Sequence, residues 1–375
     1  MKGNLDRSIE LFKSAIAKDP RFARAHAALG EAYWRRFKDT GDATADVAAR
    51  DSAAEAMRLD ANDASVRYTL AKLYHDTGRL DSSIEELRSA IRLQPRNDEA
   101  HSLLGQYVAQ RGEVDAGIAE VEKAISIRPN YWAHYFALGS ALYAAGRFDK
   151  AVATFHRVTE LQPDNAWGFQ MLGTTYHAQG DVTNAVVNYR RAIDLGNAKA
   201  HANLGLLYYD QNRFADAAHA YEEAVKLEPR SALKHQMLGD CYLHLQQGKR
   251  AELEYRQALA LNEEALRRNP RDAVSLSMAA LTEAKLGQFE LALRHASAAV
   301  ALAPTGGDVL YRQAVVCALA GRWEDGRSAL AEAFSHGYSA SHAEKDKDLD
   351  PFRGRPEFLK LVSDYRVRRE NGGLR

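Results

Sequence analysis

Cysteine is nearly absent: Cys241 and Cys317 are the only two in 375 residues. They give neither a disulfide framework nor a CxxC metal site, which leans towards a reducing compartment. Net charge is absent too, because 50 basic residues balance 50 acidic ones. No global field therefore draws nucleic acid or an anionic membrane. No apolar run reaches the roughly 18 residues that a membrane span needs. Met1-Lys2-Gly3 leads straight into an amphipathic stretch, with no signal peptide visible. There is no Gly-rich phosphate loop, no HRD or DFG, no HExxH and no tight His/Cys/Asp cluster. These absences predict a non-catalytic, cytoplasmic chain with no catalytic residue, metal or cofactor, and with no nucleic-acid or membrane partner.

What the chain has is repetition. Pro95, Pro129 and Pro163 fall 34 residues apart, and the blocks between them are near copies. A Leu-Gly-like pair serves as a ruler, its second residue being Gly30, Ala71, Gly105, Gly139, Gly173, Gly205, Gly239, Ala280 and Ala314. Successive intervals are 41, 34, 34, 34, 32, 34, 41 and 34. A tyrosine often follows three residues later (Tyr33, Tyr74, Tyr176, Tyr208, Tyr242). Twelve residues after the ruler stands a small residue, then a large one four further on: Ala151 and Phe155, Ala185 and Tyr189, Ala217 and Tyr221, Ala251 and Tyr255. Small residues at that spacing let two helices approach while the large ones fill the gap.

This pattern resembles the tetratricopeptide repeat, W-x2-L-G-x2-Y, then A-x3-F, then Pro, over most of the chain. The resemblance implies an all-α, right-handed solenoid of about nine repeats, with a concave face that binds protein or peptide. The residues read the same way on their own. Stretches 98–110 and 114–127 both carry apolar positions at helical spacing. Gly112 lies between them, in the slot that elsewhere holds Gly78, Gly146, Gly180, Gly287, Gly321 and once Asn212. Gly and Asn tolerate the left-handed turn that ends a helix. One such hairpin cannot bury its own apolar face, so neighbours must stack.

Departures from the 34-residue period predict local changes. Seven extra residues around "FKDTGDATADVA" lengthen a helix or loop. Seven more sit inside a second helix, where Ala258-Leu259 recurs as Ala265-Leu266. Seven residues are nearly two turns, so the apolar face returns with about 20° of drift. The two-residue deletion at "DLGNAKAHANLG" tightens one inter-repeat turn.

The expected domains are a solenoid over 1–335, whose residues 1–20 form a half-repeat with the second helix only, and a capping segment with tail over 336–375. Gly3 falls in the inter-helix glycine slot, from which the chain is expected to be the C-terminal part of a longer polypeptide. "FSHGYSASHAEKDKDLDPFRGRPEFLKLV" leaves the ruler and reads as a solvated loop plus a short helix around Pro356–Tyr365. The basic end, 364–375, is expected to fray. The run Asp348-Leu349-Asp350-Pro351-Phe352-Arg353 with Pro356 and Phe358 looks like the end of arrays downstream of kinase domains in bacterial serine/threonine kinases. That likeness implies a regulatory or substrate-recruiting module as an alternative function.

Other candidates reduce to structure. His26, His101, His201 and His235 all stand four residues before the ruler, a recurring packing slot. Asp346, Asp348 and Asp350 with Glu357 imitate a calcium loop, but Pro351 replaces the required Gly. RNA binding by a helical repeat is a third reading, disfavoured by the zero net charge. On each first helix, slots −3, +1 and +4 from the ruler form one stripe. They give the candidate peptide-binding residues Trp34, Tyr68, Lys72, His75, Phe136, Tyr143, Gln170, His177, Tyr209 and Gln236. Slot −3 lacks the Lys of a chaperone-type carboxylate clamp, and slot −2 holds asparagine only at Asn203. Partner identity and oligomeric state are not encoded in these features.

Overall fold

The structure, a computed structural model, describes residues 2–370 along the backbone and 4–366 in their side chains. No strand occurs among the described residues. The chain forms two compact units, residues 1–197 and 198–375.

The first unit opens with a single helix, α1 (Lys2–Lys18), so the backbone of Gly3 is helical rather than part of a turn. Five antiparallel pairs follow: α2/α3 (Ala23–Thr40, Ala43–Leu59), α4/α5 (Ala64–Asp76, Leu80–Leu93), α6/α7 (Asp98–Gln110, Val114–Ile127), α8/α9 (Trp132–Ala144, Phe148–Leu161) and α10/α11 (Ala166–Gln179, Val182–Asp194). The second unit holds α12/α13 (Lys199–Asp210, Phe214–Leu227), α14/α15 (Ala232–His244, Gly248–Arg268), α16/α17 (Ala273–Lys285, Phe289–Leu302) and α18/α19 (Gly307–Leu319, Trp323–Ser335). After these come α20 (Ala340–Lys345), a 3-10 turn Lys347–Leu349, α21 (Asp350–Arg353) and α22 (Pro356–Glu370). Each ruler residue thus marks one pair. Of the basic end expected to fray, 364–370 continue α22, and 371–375 lie outside the described residues.

Both long intervals become helix. α2 has 18 residues where α4 has 13, and Gly41 ends it at φ 71°. α15 has 21 residues, as the returning Ala-Leu pair requires. Between the helices of a pair the turn residue is left-handed, at φ 57° for Asn212 and φ 60° for Gln246. Gln246 is the exception to the glycine rule, since a side chain at positive φ strains the backbone.

Within a pair, the ruler glycine is where the helices meet. A Cβ on Gly173 would stand 2.6 Å from the Tyr189 ring, and one on Gly239 would stand 2.6 Å from the Tyr255 ring. Both rings are fully buried.

A second device secures the entry to five of the first helices, His26 contributing it at 3.1 Å from the Pro20 carbonyl oxygen. The residue four before the ruler reaches back six residues to a carbonyl oxygen: His101 to Pro95 at 3.2 Å, Tyr135 to Pro129 at 2.8 Å, His235 to Pro229 at 3.0 Å. Arg67 does the same to Ala61 at 2.8 Å. His101, His235 and Arg67 also hold Glu120, Glu254 and Glu86 of the paired helix at 2.8, 2.6 and 2.7 Å. His101 and His235 therefore fasten the preceding turn and the partner helix to the first helix.

Candidate functional site

The predicted stripe falls in both units. In the first, Trp34 lies in the core with Ala53, Val66 and Leu70, tilted 5.1 Å from Phe37. Its indole N–H is buried and finds no acceptor among the described residues. On α4, Lys72 donates to Glu31 of α2 at 2.9 Å and stands 6.0 Å over the Tyr68 ring. Burial pushes the Tyr68 phenol up to about 12. His75 lies flat on Tyr107 of α6, centroids 4.0 Å apart, and its Nε2 is 2.8 Å from the Gln110 amide oxygen.

Further along, Phe136 meets Trp132 and Phe155 edge-on, and Tyr143 sits 5.5 Å from Phe148. Gln170 accepts from Asn197 at 2.7 Å, which holds the shortened turn after α11. His177 is half-buried. Tyr68, Lys72, His75, Phe136 and Tyr143 are also partly covered, so each ring is held by a neighbour while part of it meets solvent.

In the second unit the stripe is taken. Residues 346–348, expected to form a solvated loop, instead lie against the first helices. Lys347 donates to the Tyr209 carbonyl oxygen at 3.3 Å, with its ammonium 4.4 Å over the Tyr209 ring and 5.4 Å from that of Phe214. Phe214 stacks on His244, and His244 Nε2 lies 3.0 Å from the Tyr209 hydroxyl. Both Asp348 oxygens accept from Lys285, at 2.8 and 2.7 Å. Lys285 also donates to Asp240 at 2.6 Å, and the Tyr255 hydroxyl donates to the same oxygen at 2.7 Å. Asp346 accepts from the Tyr311 hydroxyl at 2.5 Å. Gln236 is buried. The loop expectation failed because its charges find buried partners on distant helices, which outweighs their exposure to water.

The electrostatics follow from this packing. Burial, then Asp348, raises the Asp240 carboxyl to about 6 in spite of Lys285. Burial pulls the Lys285 ammonium down, but Asp240 and Asp348 more than reverse it and hold it above the ordinary lysine value. Asp346 and Asp348 are committed to these protein partners. Among the described residues no group of three or more His, Cys, Asp or Glu is arranged to hold a metal. Cys241 and Cys317 are buried, with thiols pushed up to about 12 and about 11 chiefly by burial. Buried, protonated thiols are poor nucleophiles.

Several of these residues escaped the sequence reading. Glu31 and Asp240 stand at slot +1 and Tyr311 at slot −3, so the slot rule contained them. Lys285 stands at +5, and Lys347 belongs to no repeat; no periodic signal could have found it.

Comparison with known proteins agrees with this architecture. The family model described as "Tetratricopeptide repeat" matches residues 68–132, 202–265 and 277–339, just over half of the chain. A second, "TPR repeat", matches 2–36, 139–180 and 173–211. Among solved structures, a thermophilic TPR protein of Thermus thermophilus is 19% identical, with 48% of this chain and 99% of that one covered at a TM-score of 0.43. YrrB, a TPR protein with an unusual peptide-binding site, is 21% identical over 50% of this chain and 93% of its own, at 0.36. The human IFIT1 dimer with PPP-AAAA is 18% identical over 80% of this chain and 69% of its own, at 0.51. Among the described residues no helix is long and apolar enough to cross a membrane.

Proposed function

Since the chain belongs to the tetratricopeptide repeat family, we propose that it is a non-catalytic scaffold binding a protein or peptide partner along its first helices. The supporting observation is the line of half-buried side chains on consecutive first helices of the first unit. Tyr68 and Lys72 on α4, His75 against Tyr107 of α6, and Phe136 and Tyr143 on α8 each keep an open edge. Rings fixed by neighbours on one side suit the side chains of an extended peptide, because little rotamer entropy is left to lose.

Peptides selected from a random library against the immobilised chain test this reading. Tyr68→Ala, His75→Ala and Tyr143→Ala, with helicity checked by circular dichroism, should each weaken the selected peptides about tenfold, or about 1.4 kcal/mol. A library that yields no binder, or binders indifferent to all three changes, overturns the proposal.

A second reading, substrate recruitment for a larger bacterial serine/threonine kinase, is supported by the likeness of the run from Asp348 to Phe358 to the end of kinase-associated arrays. An antibody against this array separates the two in source cells. A band near 41.6 kDa argues for the free scaffold, and a much heavier one for the module.

A further inference from the structure

Three consecutive side chains of the C-terminal segment are read by three first helices of the second unit. Asp346 meets Tyr311 on α18, Lys347 meets Tyr209 on α12, and Asp348 meets Lys285 on α16. These contacts reach across 35, 138 and 63 residues of sequence. They differ in chemistry and each is selective. The Tyr209 and Phe214 rings with a carbonyl oxygen suit an ammonium group. The Lys285 ammonium, its side chain only 3% exposed, suits a carboxylate and leaves little room for anything larger. A phenol hydroxyl completes the set by donating to a second carboxylate.

The segment lies across these helices as a bound peptide would, and apolar anchors hold it on either side. Ala343 precedes it, Leu349 and Phe352 follow it, and all three are buried in the core of the unit. A purely apolar cap would have served to cover α18 and α19. Asp346 also caps the 3-10 turn by accepting from the Asp348 N–H at 2.9 Å, but beyond that local role every charge in the acid-lysine-acid run is matched by a partner on the helices.

We propose that this face of the second unit is a receptor site for a partner peptide carrying a lysine flanked by two carboxylates, and that Asp346-Lys347-Asp348 is a built-in occupant which such a partner displaces. The inference rests on the scaffold reading above and assigns the second unit its ligand chemistry.

The test uses the full chain and a labelled, end-blocked peptide with the sequence Glu344–Asp350. Lys347→Ala combined with Asp348→Asn removes the Lys347 contact and the Asp348 charge, weakens the occupant's hold and leaves the receptor helices unaltered. That variant should bind the peptide at least tenfold tighter than the native chain does, by fluorescence anisotropy. Adding Tyr209→Ala should abolish the gain, and a peptide with alanine in place of Lys347 should not bind. Should the double variant lose its helical signal, Lys347→Ala alone, which keeps the Lys285 ion pairs, takes its place.

No binding to the folded double variant, or binding indifferent to Tyr209→Ala, overturns the proposal. So does a native dimer that Lys347→Ala abolishes, since the occupant would then be a second copy. Library peptides that still respond to Tyr68→Ala would keep the scaffold reading standing if this inference fell.

Discussion

His235 has both ring nitrogens against acceptors, Nδ1 at 2.6 Å from Glu254 and Nε2 at 3.0 Å from the Pro229 carbonyl oxygen. Only the imidazolium form donates to both. The Glu254 hydrogen bond accordingly raises the His235 pKa above 6.5, with burial opposing it and the Pro229 carbonyl assisting. A base whose pKa rises on folding contributes its full stability below the unfolded value and loses it as pH climbs through the folded one. Tyr135 fills the same slot in another repeat and donates to Pro129 without any charge. His235→Tyr should therefore keep the carbonyl bond at every pH and lose only the charged one. The native chain is expected to exceed this variant by about 1 kcal/mol more at pH 5.5 than at pH 9. Thermal midpoints of the two chains across that range check it, and a gap that stays flat rules the charged form out.

At the scale of helix pairs, the ruler residue varies with its partner inside this one chain. Gly139, Gly173, Gly205 and Gly239 face the rings of Phe155, Tyr189, Tyr221 and Tyr255, with a hypothetical Cβ 2.6 to 2.9 Å from the nearest ring atom. Ala71, Ala280 and Ala314 stand where the residue sixteen further on is Leu87, Ala296 or Leu330. A flat ring demands glycine opposite it, whereas Leu87, Ala296 and Leu330 stand opposite a methyl group; Gly105, facing Val121, is glycine because the backbone of Gly117 also approaches it. Gly173→Ala should cost about 1–3 kcal/mol by overpacking. Combined with Tyr189→Leu it should cost less than the two losses added together, because the smaller side chain removes the clash. Melting of the four chains measures the coupling, and strict additivity would refute it. Such pairings were legible in the sequence because both partners lie within one period. The lengthened α15 was legible for the same reason, its Ala258-Leu259 and Ala265-Leu266 being a heptad apart. The seat of Lys347 was not, since Tyr209 is 138 residues away and no period links them. Trp34 obeyed the stripe rule in its position, yet its side chain went to the core, where Ala53, Val66 and Leu70 had space for it.

At the scale of the whole molecule, a stack of amphipathic pairs must finish somewhere without leaving an apolar face in water. In the second unit the face of α18 and α19 is closed by Leu349, Phe352, Phe358 and Val362, all buried in the same core as Leu310, Leu330 and Phe334. Phe352 lies over Gly326, where a Cβ would come within 2.5 Å of its ring, and Trp323 meets that ring edge-on at 4.8 Å. At about 1.5–3 kcal/mol for each fully buried side chain, these four account for roughly 6–12 kcal/mol of gross apolar burial. That is comparable to the whole stability of an ordinary domain. Removing 336–375 also takes Asp348 from Lys285 and leaves that ammonium with Asp240 as its remaining carboxylate. The chain cut after Ser335 should therefore lose more helical signal than the deleted residues carry, bind an apolar dye and self-associate. A chain cut after Arg366 keeps all four anchors and should melt like the native one. Circular dichroism and size-exclusion chromatography of the two truncations decide the matter. A monomeric 1–335 with native melting would show that the last pair needs no cover, and that the acid-lysine-acid segment is dispensable to the fold.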